Sequence, residues 1–237
     1  MEATNDPERL LAPPERRSLS ADIADRLRSA IILGHFAPEE HLREVDLAER
    51  FQVSRGPVRD ALALLEREGL VVSRRNRGVV VAGLTRRDIE EVYELRLALE
   101  LLAVRHAAHR RTEDDLDAMA TLLERLAQLG PSAHPASAAE LDVEFHHCIY
   151  VAAKNQRLLS CWSLLRSQVF LFLVSRNVTS RDFSQILVAE HQHLRYLIMQ
   201  READEAANVI EAHLRGAYDR LVAARAEAEG SAEPTTT

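Results

Sequence analysis

Only two cysteines, Cys148 and Cys161, occur among the 237 residues. Two are too few for a disulfide framework or a Cys-rich zinc site. Both fall in apolar helical surroundings, as reduced core residues would. No apolar run approaches the roughly 20 residues needed to span a bilayer, so no membrane partner is expected. The N-terminus lacks the basic-then-apolar pattern of a secretory signal, and a cytoplasmic protein is expected. Positive charge is also short overall. The formal net charge is −7, which argues against a protein coated for nucleic acid. Its distribution is uneven, however: between Arg50 and Val81 seven arginines stand against three carboxylates. A local basic face suffices for phosphate contacts, and an acidic remainder keeps non-specific binding low. What is present is an ordinary soluble profile, 46% hydrophobic and 28% charged, long enough for two domains.

The chain is organised around Val53 to Leu70, which reads as one helix with clear ends. Ser54 is a good N-cap, Pro57 falls in the first turn, where a missing N–H costs nothing, and Gly69 sits where a left-handed C-cap is expected. Val58, Ala61, Leu62 and Leu65 recur at helical spacing and make one apolar face. Arg55 and Arg59 share another face near the N-terminus, the positive end of the helix dipole. A helix that buries one side and offers two arginines there has the geometry of a recognition helix in a DNA major groove. Upstream, Glu44 to Phe51 is a second short helix, joined by the turn Gln52-Val53-Ser54 as in helix-turn-helix units. Downstream, Val71-Val72 and Val79-Val80-Val81 flank a basic tip containing Arg74, Arg75, Arg77 and Gly78. That pattern reads as a hairpin wing.

In chain order, residues 1–17 form a polar, proline-bearing arm. Ala21 to Leu33 is a first helix with Ile23, Leu27, Ala30 and Ile31 on one face, ended by Gly34; residues 35–43 are a loop. The DNA-binding domain spans 18–82 and a linker spans 83–86. Thr85 caps the next helix, with Asp88 completing an acidic first turn. From there no strand pattern appears. Six helices are expected, at about 86–110, 112–129, 137–153, 155–177, 181–200 and 202–227, with a loop at Pro131 and Pro135. A helical domain covers 87–228, and 229–237 is a disordered tail. The fold class is therefore mainly α: a winged helix-turn-helix of three helices and a β-hairpin, then an all-α bundle.

Leu42 to Val81, with Ser-Arg-x-Pro-Val-Arg-Asp-Ala-Leu, Glu-Gly-Leu-Val and Arg-Gly-Val-Val-Val, resembles the winged-helix domain of GntR-family transcription regulators. The resemblance implies DNA contacts from Ser54, Arg55, Gly56 and Arg59, and from Gly78 at the wing tip beside Arg75 and Arg77. Val45 departs from the family, where several members carry a polar or basic residue. A contact from the second helix would then be absent or fall to Arg43.

In the second domain, Asp142 and His146 are spaced i and i+4 beside the stripe Leu141, Phe145 and Ile149, so both point toward the bundle interior. His147 is turned about 100° away. His191 lies eleven residues before Glu202 and His213 eleven after it. In an antiparallel hairpin turning there, the two sit at one depth. Each is on an apolar stripe: Leu187, His191, Leu194 and Ile198; Ile210, His213, Ala217 and Leu221. Three imidazoles and a carboxylate converging inside a bundle make a site for a borderline divalent ion. Satisfied core histidines are the alternative. Arg96 falls in the stripe Val92, Arg96, Leu99 and Ala103, and a buried arginine needs an anion. That anion is either Glu100 one turn on or a ligand carboxylate bound in a bidentate manner.

Residues from about 87 to 225 resemble the FCD ligand-sensing domain of FadR-type GntR regulators. The motifs are Glu94-Leu95-Arg96 with Glu100, Asp142-x3-His146, Asn155 with Leu158, Glu190-His191 and His213-Leu214. The resemblance implies that Asp142, His146, His191 and His213 hold a metal, with zinc favoured and nickel or manganese possible. It also implies that an organic acid completes the coordination, with Arg96 and Asn155 as ligand contacts. Asn155 equally suits a helix cap. The function expected is a one-component regulator, by default a repressor. It would bind a short DNA palindrome as a homodimer and respond to a small carboxylate. Three His and one Asp also leave open metal positions, as a metal-dependent hydrolase would; a purely structural metal is the third alternative.

Overall fold

The computed structural model describes residues 18–32, 35–75, 77–83, 85–129, 135–179 and 183–230. The N-terminal arm, Gly34, Pro131 and the last seven residues of the tail lie outside them. The chain divides into two compact units, changing over between Arg67 and Ala82.

The first unit comprises α1 (Leu19–Ile32), α2 (Glu44–Phe51), α3 (Arg55–Arg67), β1 (Val71–Arg74) and β2 (Gly78–Val81). Its core forms where apolar side chains recur at helical spacing. Ile23, Ala24, Leu27 and Ile31 of α1 meet Val58, Ala61, Leu62 and Leu65 of α3, with Leu47 and Ala48 of α2. Ala30, expected on the buried face, is only half-buried, and Ala24 takes its place. The α2–α3 turn is made by Gln52, which adopts a left-handed φ of 55°; its N–H bonds back to Ala48 O and Glu49 O. Gly69 and Gly78 also have positive φ, 72° and 71°. The wing is antiparallel, pairing Val71 with Val81 and Arg74 with Gly78.

The residues before α2 are not a plain loop. Leu42 N–H bonds to Val79 O at 2.9 Å and Val81 N–H to Glu40 O at 2.9 Å, and His41 bridges Val80. The wing therefore has a third, short extended partner, which fixes β2 on both edges.

Among the described residues the regular elements of the second unit are all helices: α4 (Arg86–Arg110), α5 (Glu113–Ala127), α6 (Pro135–Ala152), α7 (Gln156–Thr179), α8 (Phe183–Gln200) and α9 (Ala203–Gly230). Capping boxes start two of them, Thr85 with Asp88 and Thr112 with Asp115; each satisfies two otherwise orphaned N–H groups. Helix α4 packs against α6, α7, α8 and α9, so its inward side chains reach the middle of the bundle. The α4 and α8 ends exchange caps: Arg201 bonds Ala108 O and His109 O, and Arg111 bonds Met199 O at 2.6 Å.

Two expectations need correction. Gln156–Ser175 is, by length and composition, long and apolar enough to cross a membrane, with a mean hydropathy of 1.5. Its Trp162, Val169 and Leu173 are buried inside the bundle while Leu164 is 63% exposed, so part of that apolarity serves the core. Cys161 is exposed and Cys148 partly exposed, both as free thiols; an apolar neighbourhood in sequence does not fix which way one helix position faces. Burial pushes the Cys148 thiol up to about 11.

Candidate metal centre and nucleic-acid interface

On the first unit, Ser54, Arg55, Gly56 and Arg59 are exposed at the start of α3, and Arg75, Arg77 and Gly78 at the wing tip. Arg43 is exposed as the extended residue preceding α2, and Val45 is 54% exposed. A Cβ on Gly56 would meet open space, whereas one on Gly78 would lie 2.9 Å from His41 Nε2. The two arginines at the start of α3 are not loose. Arg59 Nε and Nη2 donate to the two carboxylate oxygens of Glu44, both at 3.2 Å, and Arg55 Nη2 donates to Glu44 Oε2 at 3.4 Å. Sequence reading missed Glu44, because the contact spans eleven and fifteen residues and has no local signature.

In the second unit, α6 supplies Asp142 and His146, α8 His191 and α9 His213. All four are buried, and their candidate ligand atoms lie within 4.8 Å of one another. Asp142 Oδ1 is 3.2 Å from His146 Nε2 and 3.6 Å from His191 Nε2. The rings of His191 and His213 are 4.9 Å apart, as their equal distance from the α8–α9 turn requires. Phe145 stacks on His191 at 4.3 Å and fixes its plane.

The outer groups test whether these residues suit a metal. His146 Nδ1 stands 2.6 Å from Glu100 Oε2, and His213 Nδ1 2.6 Å from Glu190 Oε2. A carboxylate can only accept, so each Nδ1 donates to its outer carboxylate, and each ring when neutral turns the lone pair of its Nε2 inward. His213 Nε2 is buried with no hydrogen-bond partner among the described residues. An inward lone pair of this kind beside a carboxylate oxygen suits a divalent cation. With ligand bonds of about 2.0–2.2 Å, the observed spacing needs only small side-chain shifts to close on one ion.

The electrostatics pull the two imidazoles in opposite directions. Burial alone would raise Glu100, but His146 and Arg96 hold its carboxyl down to about 2. For His146, burial opposes protonation, but Glu100 and Asp142 outweigh it and raise the imidazole. For His213, burial wins and lowers it, against the bond it donates to Glu190.

Arg96 is buried. Its Nε donates to Glu100 Oε1 at 2.7 Å, so the internal carboxylate is a real partner. Its Nη2 is nonetheless buried without one among the described residues. Asn155 Oδ1 accepts from Leu158 N at 3.2 Å, so its carbonyl caps α7, the local alternative to a ligand contact. His147 is partly exposed and outside the cluster. Sequence reading did not single out Tyr150 and Trp162. They are fully buried, stacked at 4.6 Å, and their Oη and Nε1 have no partners among the described residues. Tyr150 follows His146 by one helical turn on the same face, a spacing that could have flagged it.

Comparison with known proteins yields two family matches. The FCD domain model matches residues 91–216, and the model for bacterial regulatory proteins of the gntR family matches residues 19–81. The Nta operon transcriptional regulator of Aminobacter aminovorans is 30% identical over 79% of this chain and 87% of its own length. The gluconate operon transcriptional repressor of Bacillus subtilis is 29% identical over 84% of this chain and 82% of its own. Among solved structures, a GntR transcriptional regulator from Rhodococcus sp. RHA1 superposes with a TM-score of 0.75, at 23% identity. The match covers 87% of this chain and 99% of that one. At that identity the likeness bears on the fold alone.

Proposed function

The chain belongs to the GntR family, with an FCD domain as its second part, and is a DNA-binding transcriptional regulator; from that premise we propose that it is a metal-dependent sensor of a small organic acid. The hydrolase alternative is set aside, because the family and the relatives are regulators rather than enzymes.

In this reading the winged helix docks α3 in the major groove. Arg55 and Arg59 reach bases, and Ser54, Gly56, Arg43, Arg75, Arg77 and Gly78 lie against the backbone. Asp142, His146, His191 and His213 hold one divalent ion, with zinc favoured over nickel and manganese. The ion would supply Lewis-acid positions for carboxylate oxygens. The chain's own residues supply the rest: among the described residues the buried Nη2 of Arg96 and the Oη of Tyr150 are donors without acceptors, which an acidic effector would satisfy. A sugar acid or hydroxy acid has the required oxygens, and one relative is a gluconate operon repressor.

One winged helix buries too little for the affinities of about 10⁻⁸ M typical of regulators, so the protein works as a cytoplasmic homodimer on a short palindrome. Effector binding changes operator affinity only through a difference in its affinity for the two states; repression relieved by effector is the default reading.

The observation that carries this proposal is the buried Asp-His-His-His cluster whose outer carboxylates aim imidazole lone pairs inward. The test is a thermal-shift series with gluconate, citrate, malate and lactate, on metal-loaded and chelated protein. A shift by at least one acid that vanishes on chelation supports the proposal. Metal-dependent stability with no response to any acid reduces the site to a structural metal.

A further inference from the structure

We propose that Glu44 is a positioning residue for base recognition: its carboxylate clamps the side edge of Arg59, leaving the outer edge free to read a guanine. The inference rests on the reading that Arg55 and Arg59 face DNA.

Glu44 is the first residue of α2, and its side chain is only 24% exposed although both arginines are mostly in solvent. Both of its oxygens are used on Arg59, one on Nε and one on Nη2, each at 3.2 Å. A guanidinium has five N–H donors in a fixed plane. With the Nε–Nη2 edge occupied, the outer edge still offers parallel N–H groups from Nη1 and Nη2. Two parallel donors are what guanine O6 and N7 accept. A free arginine at this exposure would sample many rotamers and lose that freedom on binding; the clamp removes part of the loss beforehand. The hydrogen bond from Arg59 holds the Glu44 carboxyl below its ordinary value, so the clamp stays charged at neutral pH.

The second consequence concerns charge. One carboxylate shared by Arg55 and Arg59 halves the net charge of the pair. Phosphate attraction depends on such charges whatever the sequence, whereas base readout depends on geometry. Glu44 therefore weakens indiscriminate binding while aiming the specific contact. A merely structural tie between α2 and α3 would do neither, and exposed pairs contribute little to folding.

The experiment selects duplexes from a random-sequence pool with the full-length protein, its Arg59→Ala variant and its Glu44→Gln variant, and also titrates each onto random duplex at graded salt. Wild type should enrich a palindrome with a guanine whose preference Arg59→Ala loses. Glu44→Gln should enrich the same palindrome with that one preference reduced about tenfold. It should also bind random duplex several-fold more tightly, with a steeper salt slope. Glu44→Asp keeps the charge but withdraws the carboxylate; it should lose the guanine preference without the gain on random duplex. It serves also if Glu44→Gln melts early. If both variants keep the wild-type guanine preference, the clamp is overturned. If Arg59→Ala itself leaves every base preference intact, the recognition-helix reading falls, and the clamp with it.

Discussion

His213 Nδ1 lies 2.6 Å from Glu190 Oε2, while its own Nε2, turned into the cluster, has no hydrogen-bond partner among the described residues. The carboxylate fixes the tautomer, and the tautomer aims the lone pair. Glu100 does the same for His146 at 2.6 Å. These outer partners of metal-binding histidines typically matter about 10–100-fold in metal affinity. Glu190→Gln should therefore weaken zinc binding by about that factor, measured by competition with a chromophoric chelator, while the helical content stays unchanged. An unaltered zinc affinity would show that Glu190 does not orient the ring.

Protons should compete with the metal in two ranges. His146 is raised above its ordinary value of 6.5, so in metal-free protein its protonated form persists above that pH. Its contribution to the stability of metal-free protein is present below 6.5 and is lost as pH rises through the raised value. His213 is lowered, so it binds fewer protons folded than unfolded, and its contribution falls as pH drops below 6.5. Metal needs both rings neutral at Nε2. The melting-temperature gain from zinc should thus begin to shrink above pH 6.5 and continue shrinking below it. A gain independent of pH between 8 and 5.5 would contradict this assignment.

Arg96 separates an ion-pair role from an effector role. It gives Nε to Glu100, and its Nη2 has no partner among the described residues. Arg96→Lys keeps a charge beside Glu100 but loses the planar fork. Zinc affinity should change little, while the thermal shift from a responding acid should largely disappear. Equal loss of both would mean that the guanidinium serves only Glu100.

Two backbone positions predict opposite signs in the first unit. Gln52 holds a left-handed φ of 55° at the helix-turn-helix corner, a conformation that favours glycine. Gln52→Gly should stabilise by about 0.5–1 kcal/mol. Gly78 holds φ 71°, and a Cβ there would lie 2.9 Å from His41 Nε2. Gly78→Ala should destabilise by about 1–2 kcal/mol. Urea titrations followed by circular dichroism decide both; a destabilised Gln52→Gly would show that its side chain does more than tolerate the turn.

Much of this was legible because it is local or periodic. Helical spacing marked α4 to α9, and Asp142 with His146 lie on one turn. The equal distance of His191 and His213 from Glu202 placed the two rings at one depth. What escaped is non-local. Residues 39–42 pair with β2 through backbone groups that carry no sequence signature. Glu44 reaches Arg55 and Arg59 across a turn. Glu100 was anticipated as a partner for Arg96, but its second oxygen serves His146 on a different helix, which spacing within α4 cannot show. Cys161 faces outward because helical phase sets exposure more finely than neighbourhood hydropathy does.

The most direct test of the account is elemental analysis of protein purified without an affinity tag or added metal, repeated on His213→Ala and His147→Ala. The account predicts one divalent ion per chain in wild type and in His147→Ala, and its loss in His213→Ala, with a melting temperature that chelation lowers only in the first two. Substoichiometric metal that zinc, nickel and manganese all fail to restore would contradict it.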